Sequence, residues 1–318
     1  MNVLEIQDLN VTFATEGGPL HALRNVSFDV PEHRIVGVVG ESGCGKSTLI
    51  NAILGLLADN GQVDSGRILF GDHDLTRLGP LEMQSLRGLR ISTVFQDPMG
   101  ALNPVISVGR QMLHIQYRSD LGRSEKNARS VKMLRRVRIP DPESALDRYP
   151  HEFSGGMKQR IAIAMALMME PALLIADEPT TALDATLEVA TIELLQDLQA
   201  QIGCSVLFIS HHLGVIAELC DDVVVMYAGE VVERGTTREL FHDPRHPYTE
   251  RLLRCDPAGQ SGRTRHLPTI PGEVPDLRVR PAGCIFAARC HRYEGICDTV
   301  PPEVGAGGHR ARCHRVTP

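Results

Sequence analysis

Unbroken apolar runs, rather than strict alternation, mark the first 250 positions of this chain. Residues 35–39, 172–176, 206–209 and 223–227 are each of strand length and almost free of polar side chains. Such runs suit strands covered on both faces, as in a mainly parallel sheet with helices on either side. Helical patterns lie between them. Over 125–139, Ala128, Val131, Leu134 and Val137 recur every third residue with basic side chains on the other faces, which predicts an amphipathic helix. From about 100 to 170 helix signal prevails and strand signal is scarce, so a helical insert is expected there. Beyond 255 the texture changes: Pro268, Pro271, Gly272, Pro275, Pro281 and Gly283 accumulate and periodicity fades. The expected organisation is an α/β domain over 1–250 and a small, loop-rich extension over 251–318.

Two carboxyl ends of these runs carry candidate chemistry. The run 35–39 leads directly into Gly40-Glu-Ser42-Gly43-Cys-Gly45-Lys46-Ser47-Thr48, and a helical stretch follows to about residue 57. Glycines let a loop curl so that successive N–H groups face phosphate oxygens, and the following helix adds its positive end. Lys46 is then expected to bridge the β- and γ-phosphates and Ser47 to hold Mg²⁺. The run 172–176 ends in Asp177-Glu178. A buried strand that stops in two acids sets them at the sheet edge where ligands of α/β folds bind. Asp177 is the expected Mg²⁺ partner, and Glu178 the group that orients or deprotonates an attacking water. A third feature is Phe153-Ser154-Gly155-Gly156-Met157 ahead of the apolar stretch 161–169. Ser154 can cap that helix while the glycines expose backbone N–H groups at its positive end, a second place for an anion.

Taken in order, these motifs resemble those of the ABC-type ATPases, a branch of the P-loop NTPases. Residues 153–157 are similar to the signature that usually reads Leu-Ser-Gly-Gly-Gln, with Phe153 and Met157 as departures. Gln96 in Phe-Gln-Asp-Pro matches the Q-loop, Ala182-Leu183-Asp184 the D-loop, and His211 the switch histidine, although His212 stands beside it where an acid is common. Phe13 aligns with the aromatic that stacks on adenine. The resemblance covers 1 to about 250. It implies a cassette with a mainly parallel core sheet, an antiparallel β subdomain and a helical subdomain. It also implies ATP hydrolysis with Mg²⁺ held by Ser47, Gln96 and Asp177. Each ATP would lie between the phosphate loop of one subunit and the signature of a second: Phe13, Gly40, Ser42, Gly43, Gly45, Lys46, Ser47 and Thr48 on one side, Ser154, Gly155 and Gly156 on the other, with Asp184 of the D-loop also an ATP-binding residue. Glu178, His211 and Gln96 would carry the catalytic roles.

Composition narrows the class further. A formal net charge of -6 over 318 residues gives no basic footprint for nucleic acid, which disfavours the ABC ATPases that clamp DNA or ribosomes. No run of 18 apolar residues exists, and the first residues lack the profile of a secretion signal. The expectation is a peripheral protein on the cytoplasmic face of the inner membrane.

Several stretches look like the importer branch for oligopeptides, dipeptides and nickel: 95–104, Tyr149-Pro-His-Glu-Phe153, His246-Pro247-Tyr248-Thr249, and the extension itself. That resemblance implies two transmembrane permease subunits, a second, homologous ATPase subunit and an extracytoplasmic substrate-binding protein. Peptides, nickel chelates, glutathione and oligosaccharides all remain open as substrates. Cys284, Cys290, Cys297 and Cys313 are spaced C-x5-C-x6-C-x15-C in the extension, without the paired CxxC knuckles of zinc ribbons. The resemblance implies a [4Fe–4S] cluster on these four thiolates; a structural zinc assisted by His291, His309 or His314, or four free thiols, are the alternatives. Arginines at 278, 280, 289, 292, 310, 312 and 315 outnumber the acids nearby. That surplus reads equally as an offset for thiolate charge or as a solvated basic tail.

Overall fold

The computed structural model describes residues 1–180, 185–256 and 268–316. They divide into two units, Met1–Met83 with Phe208–Pro318, and Gln84–Leu207. The tail beyond residue 250 belongs to the first of these.

In the first unit, β1 (Asn2–Thr15) pairs antiparallel with β2 (Gly18–Pro31). Its apolar positions start on one period of two, Leu4 and Ile6, and resume out of step at Leu9 and Val11, yet all four are at most 1% exposed. One extra residue reconciles the two phases. The register shifts between Ile6 and Leu9, where Asp8 takes a left-handed φ of 46°. Next come β3 (Ile35–Val39), α1 (Lys46–Leu54), β4 (Gly61–Phe70), β5 (His73–Asp74) and α2 (Pro80–Leu86). β4 lies against β1 and β5 against β4, closing a four-stranded antiparallel sheet in the order β2-β1-β4-β5.

The second unit holds β6 (Ile91–Val94), α3 (Pro98–Ala101), α4 (Val108–Ile115), α5 (Arg123–Arg136), α6 (Pro142–Ala145), α7 (Gly155–Leu167), β7 (Leu173–Asp177) and α8 (Ala185–Ile202). β6 and β7 run parallel, Ile91 opposite Leu173 and Val94 opposite Ala176. The predicted stripe on α5 needs correction. Ala128 is exposed and Val131 half-buried, whereas Ser130, Met133, Leu134 and, just past the helix, Val137 are buried. A strict period of three slips by about 60° at each step on a helix of 3.6 residues per turn, so the true inward face follows i, i+3, i+4, i+7. Buried Ser130 is satisfied locally: it accepts from Gln116 Nε2 at 3.1 Å and donates to the Lys126 carbonyl at 2.9 Å.

The chain re-enters the first unit along β8 (Ser205–Ile209), then forms α9 (Leu213–Leu219), β9 (Asp222–Tyr227), β10 (Glu230–Thr236), α10 (Thr237–His242) and α11 (Pro247–Arg254). β9 is parallel to β3 and joins β10 through the two-residue turn Ala228-Gly229, both with positive φ, which matches the twist of a tight hairpin. The extension adds single 3-10 turns at Ala287–Arg289 and Gly295–Asp298. It then forms the hairpin β11 (Glu303–Ala306) and β12 (His309–Arg312). Loop was expected throughout this stretch. Instead β12 pairs with β10, extending this unit's sheet to β11-β12-β10-β9-β3. Four-residue strands carry too little alternation to be read, and this pair forms because β10 offers an open edge. Among the described residues no helix is long and apolar enough to cross a membrane.

Candidate nucleotide site and cysteine pocket

The loop after β3 is shaped by how closely the backbone passes its neighbours. Gly40 has φ 154°, and a Cβ there would stand 2.1 Å from the carbonyl oxygen of Met226 on β9, so no other residue fits. Gly45, at φ 106°, is the N-cap of α1 and gives its first turn no side-chain cap. Lys46 is only 8% exposed. Its ammonium lies inside the loop, donating to the carbonyls of Gly40 at 2.7 Å and Glu41 at 3.3 Å. Ser42, Gly43 and Ser47 are exposed around it, and Thr48 is half-buried. Phe13, also half-buried on β1, sits opposite Gly61 of β4; a side chain at 61 would meet its ring edge at 2.5 Å. His211 follows β8 with its ring exposed and edge-on to His212, centroids 4.5 Å apart.

In the second unit the parallel pairing of β6 and β7 brings their carboxyl ends to one edge. Gln96, two residues past β6, donates from Nε2 to Glu178 Oε2 at 3.1 Å. Asp177 and Glu178 are half-buried at the end of β7. Glu178 has φ 44°, a left-handed backbone that costs a non-glycine residue on the order of 1 kcal/mol and is a frequent mark of a functional position. Ser154 caps α7, accepting from the Met157 N–H at 3.4 Å, with Gly155 exposed and Gly156 buried behind it. Gln159 was not anticipated. It is 1% exposed, and its amide donates to the carbonyl of Pro179, fixing α7 to the residue that follows Glu178. Asp184 and the rest of the expected D-loop lie outside the described residues.

The four tail cysteines line one small apolar pocket together with His246, Phe286 and His314. Burial pushes the Cys284 thiol up to about 11 and raises Cys290 and Cys313. His246 is 1% exposed. Its Nδ1 accepts from the Tyr248 N–H at 3.1 Å, so the neutral ring carries its proton on Nε2, and that atom has no hydrogen-bond partner among the described residues. Burial lowers this imidazole to about 3, keeping it neutral. Among the described residues no three His, Cys, Asp or Glu gather as the ligands of one metal ion would.

The surplus arginines of the tail are largely ion-paired: Arg278 with Asp276, Arg292 with Glu250, Arg310 with Glu303, Arg312 with Glu230, Arg315 with Glu294 and Arg289 with Glu41. Glu41 and Arg289 were not read as a pair from the sequence; neither residue carries a local signal that points to the other.

Comparison with known proteins identifies the family. Residues 23–181 match the family described as ABC transporter, and residues 232–297 the family described as oligopeptide/dipeptide transporter, C-terminal region. The chain is 47% identical to the dipeptide transport ATP-binding protein DppD of Bacillus subtilis, over 98% of this chain and 94% of that one. It is 42% identical to DppD of Escherichia coli K12, over 99% and 97%. Among solved structures, the ATP-binding cassette MJ0796 bound to ADP and Pi superposes with a TM-score of 0.65 at 26% identity, covering 74% of this chain and 99% of that one. The cbiO1 protein of Clostridium perfringens gives 0.65 at 31%, covering 76% and 91%. A phosphate loop, an acid-ended strand and a capped Ser-Gly-Gly helix on an ABC-cassette fold make an ATP-binding, ATP-hydrolysing subunit, and this chain belongs to the ABC transporter ATP-binding proteins that carry the oligopeptide/dipeptide-type C-terminal region.

Proposed function

We propose that this chain powers the uptake of di- or oligopeptides from the cytoplasmic face of the membrane. It works beside a second, homologous ATPase subunit, beneath two transmembrane permease subunits that receive substrate from an extracytoplasmic binding protein. The observation that carries this reading is likeness to dipeptide transport ATP-binding proteins along nearly the whole chain, extension included. In it, residues 1–250 form the ATPase domain, with the helical insert at about 100–170, and 251–318 form the extension.

The residues divide the work as follows. Phe13 stacks on adenine. The N–H groups of 40–48 and the Lys46 ammonium hold the phosphates, a task suited to a loop whose lysine is already desolvated. Ser47, Gln96 and Asp177 are all oxygen donors, the set a hard cation takes, and would hold Mg²⁺, which when bound screens charge on the transferring phosphoryl group. Glu178 takes the proton of the attacking water, and its hydrogen bond from Gln96 orients the carboxylate. His211 contacts the γ-phosphate. Ser154, Gly155 and Gly156 close on the nucleotide held by the partner subunit.

Four cysteines on one pocket supply the four-thiolate set that a [4Fe–4S] cluster takes, with a structural zinc as the alternative. The unpartnered Nε2–H of His246 on the same pocket would supply a donor to cluster sulfur. Cys284, Cys290, Cys297 and Cys313 would be the ligands. Anaerobically purified protein is expected to be brown, absorbing near ~400 nm and bleached by dithionite. Colourless protein with one zinc per chain would overturn the assignment.

Transport is tested by reconstituting the full complex in vesicles. Dipeptide-loaded binding protein is expected to raise ATP hydrolysis and drive peptide accumulation. Stimulation by a nickel chelate and by no peptide would sink the peptide reading.

A further inference from the structure

We infer that Arg289 of the C-terminal extension is a positioning residue for the phosphate loop, acting through Glu41. This rests on reading residues 40–48 as the ATP site. The Arg289 side chain is 4% exposed, and its guanidinium grips Glu41 with both arms, Nη1 to Oε2 at 2.7 Å and Nη2 to Oε1 at 3.1 Å. Its remaining donor capacity is used as well: Nε reaches the Pro271 carbonyl at 3.0 Å, Nη2 the Ile270 carbonyl at 2.9 Å and Nη1 the Tyr227 hydroxyl at 3.2 Å. Glu41 is the residue after Gly40 and is held at two further points. Its N–H donates to the hydroxyl of fully buried Tyr248 at 2.9 Å, and its carbonyl accepts from Lys46. Arg289, Ile270, Pro271 and Tyr248 all lie beyond β10, in the C-terminal part of the chain; the next residue after Arg289 is Cys290 of the cysteine pocket.

Two effects follow from this placement. The clamp fixes the first curl of the loop, so its N–H groups need no reordering when phosphates arrive. It also neutralises a carboxylate that would otherwise stand, unpaired and part-shielded from water, beside three or four phosphate charges. The second effect separates positioning from mere packing. Removal of the arginine exposes the nucleotide to a repulsive charge, and removal of that charge restores affinity.

The test is a mutant cycle on the full-length protein, reading ATP Kd by direct binding together with KM, kcat and thermal midpoint. Arg289→Ala is expected to weaken ATP binding on the order of tenfold, within the range of coupling seen between directly paired residues. Adding Glu41→Gln to that variant should recover several-fold in Kd, and Arg289→Lys, which keeps the cation, should lose less than Arg289→Ala. Arg289→Gln carries the same test if the alanine variant does not fold. Lys46→Ala is the control for the site itself: wild-type ATP binding by that variant would refute the reading of residues 40–48. If Lys46→Ala loses ATP while Arg289→Ala and Arg289→Gln bind it as the wild type does, the inference is overturned. A lower thermal midpoint with no recovery from Glu41→Gln overturns it equally, since a purely structural role predicts that pattern.

Discussion

Glu178→Gln should keep ATP affinity near that of the wild type while turnover falls by about 10²- to 10⁴-fold, the usual contribution of a positioned base. The substitution is nearly isosteric. Its amide oxygen can still accept the hydrogen bond that Gln96 makes at 3.1 Å, so local geometry is preserved and only basicity is lost. The left-handed backbone at 178 holds the side chain at the strand end whichever residue is present, provided Gln tolerates φ 44° as Glu does. With ATP bound and uncleaved, the proposed pair with the second ATPase subunit should persist, and gel filtration of the two subunits together in ATP and Mg²⁺ would show it. Phosphate release near the wild-type rate would remove Glu178 from the mechanism and leave Asp177 or His211 to be tested.

The second large effect concerns stability. Glu233 of β10 has a fully buried side chain that accepts from the N–H groups of Arg245 and His246, at 2.7 and 2.9 Å, and from His309 Nε2 of β12 at 2.8 Å. One carboxylate thereby fixes the approach to α11 and the hairpin that covers the sheet edge. Glu233→Ala leaves three donors without that acceptor in a buried site, and is expected to cost about 3–5 kcal/mol. Glu233→Gln keeps one acceptor oxygen and should cost less. Denaturant unfolding measures both, and limited proteolysis should show the tail released first in the alanine variant. A loss within about 0.5 kcal/mol, the range of an ordinary surface change, would show that the carboxylate is not the anchor.

Much of the candidate nucleotide site is legible in the sequence because its parts are contiguous. Gly40 to Thr48 announces itself by spacing, the strand before it by unbroken apolarity, and the cap on α7 by Ser154 at the right distance from the helix. In each case the partners lie within a few residues, so local backbone geometry does the placing. The stripe on α5 shows where even a local pattern misleads: a repeat of three does not hold one helical face, and Met133 rather than Ala128 is buried. Charge counting also misled in part. Three of the six paired tail arginines meet acids of earlier elements, Glu41, Glu230 and Glu250, which a tally of the tail alone does not include.

What the chain order determined by itself was therefore the inventory of chemistry: a phosphate loop, an acid-ended strand, a capped glycine turn and four spaced cysteines. Only the tertiary structure decided which distant groups share a site. Arg289 and Glu41 stand 248 residues apart, His309 and Glu233 stand 76 apart, and His246 joins the cysteines at one pocket. Contacts of that separation leave no periodicity behind. They exist because burial strips water from an ionic or polar group, which must then find its counterpart wherever folding has brought one.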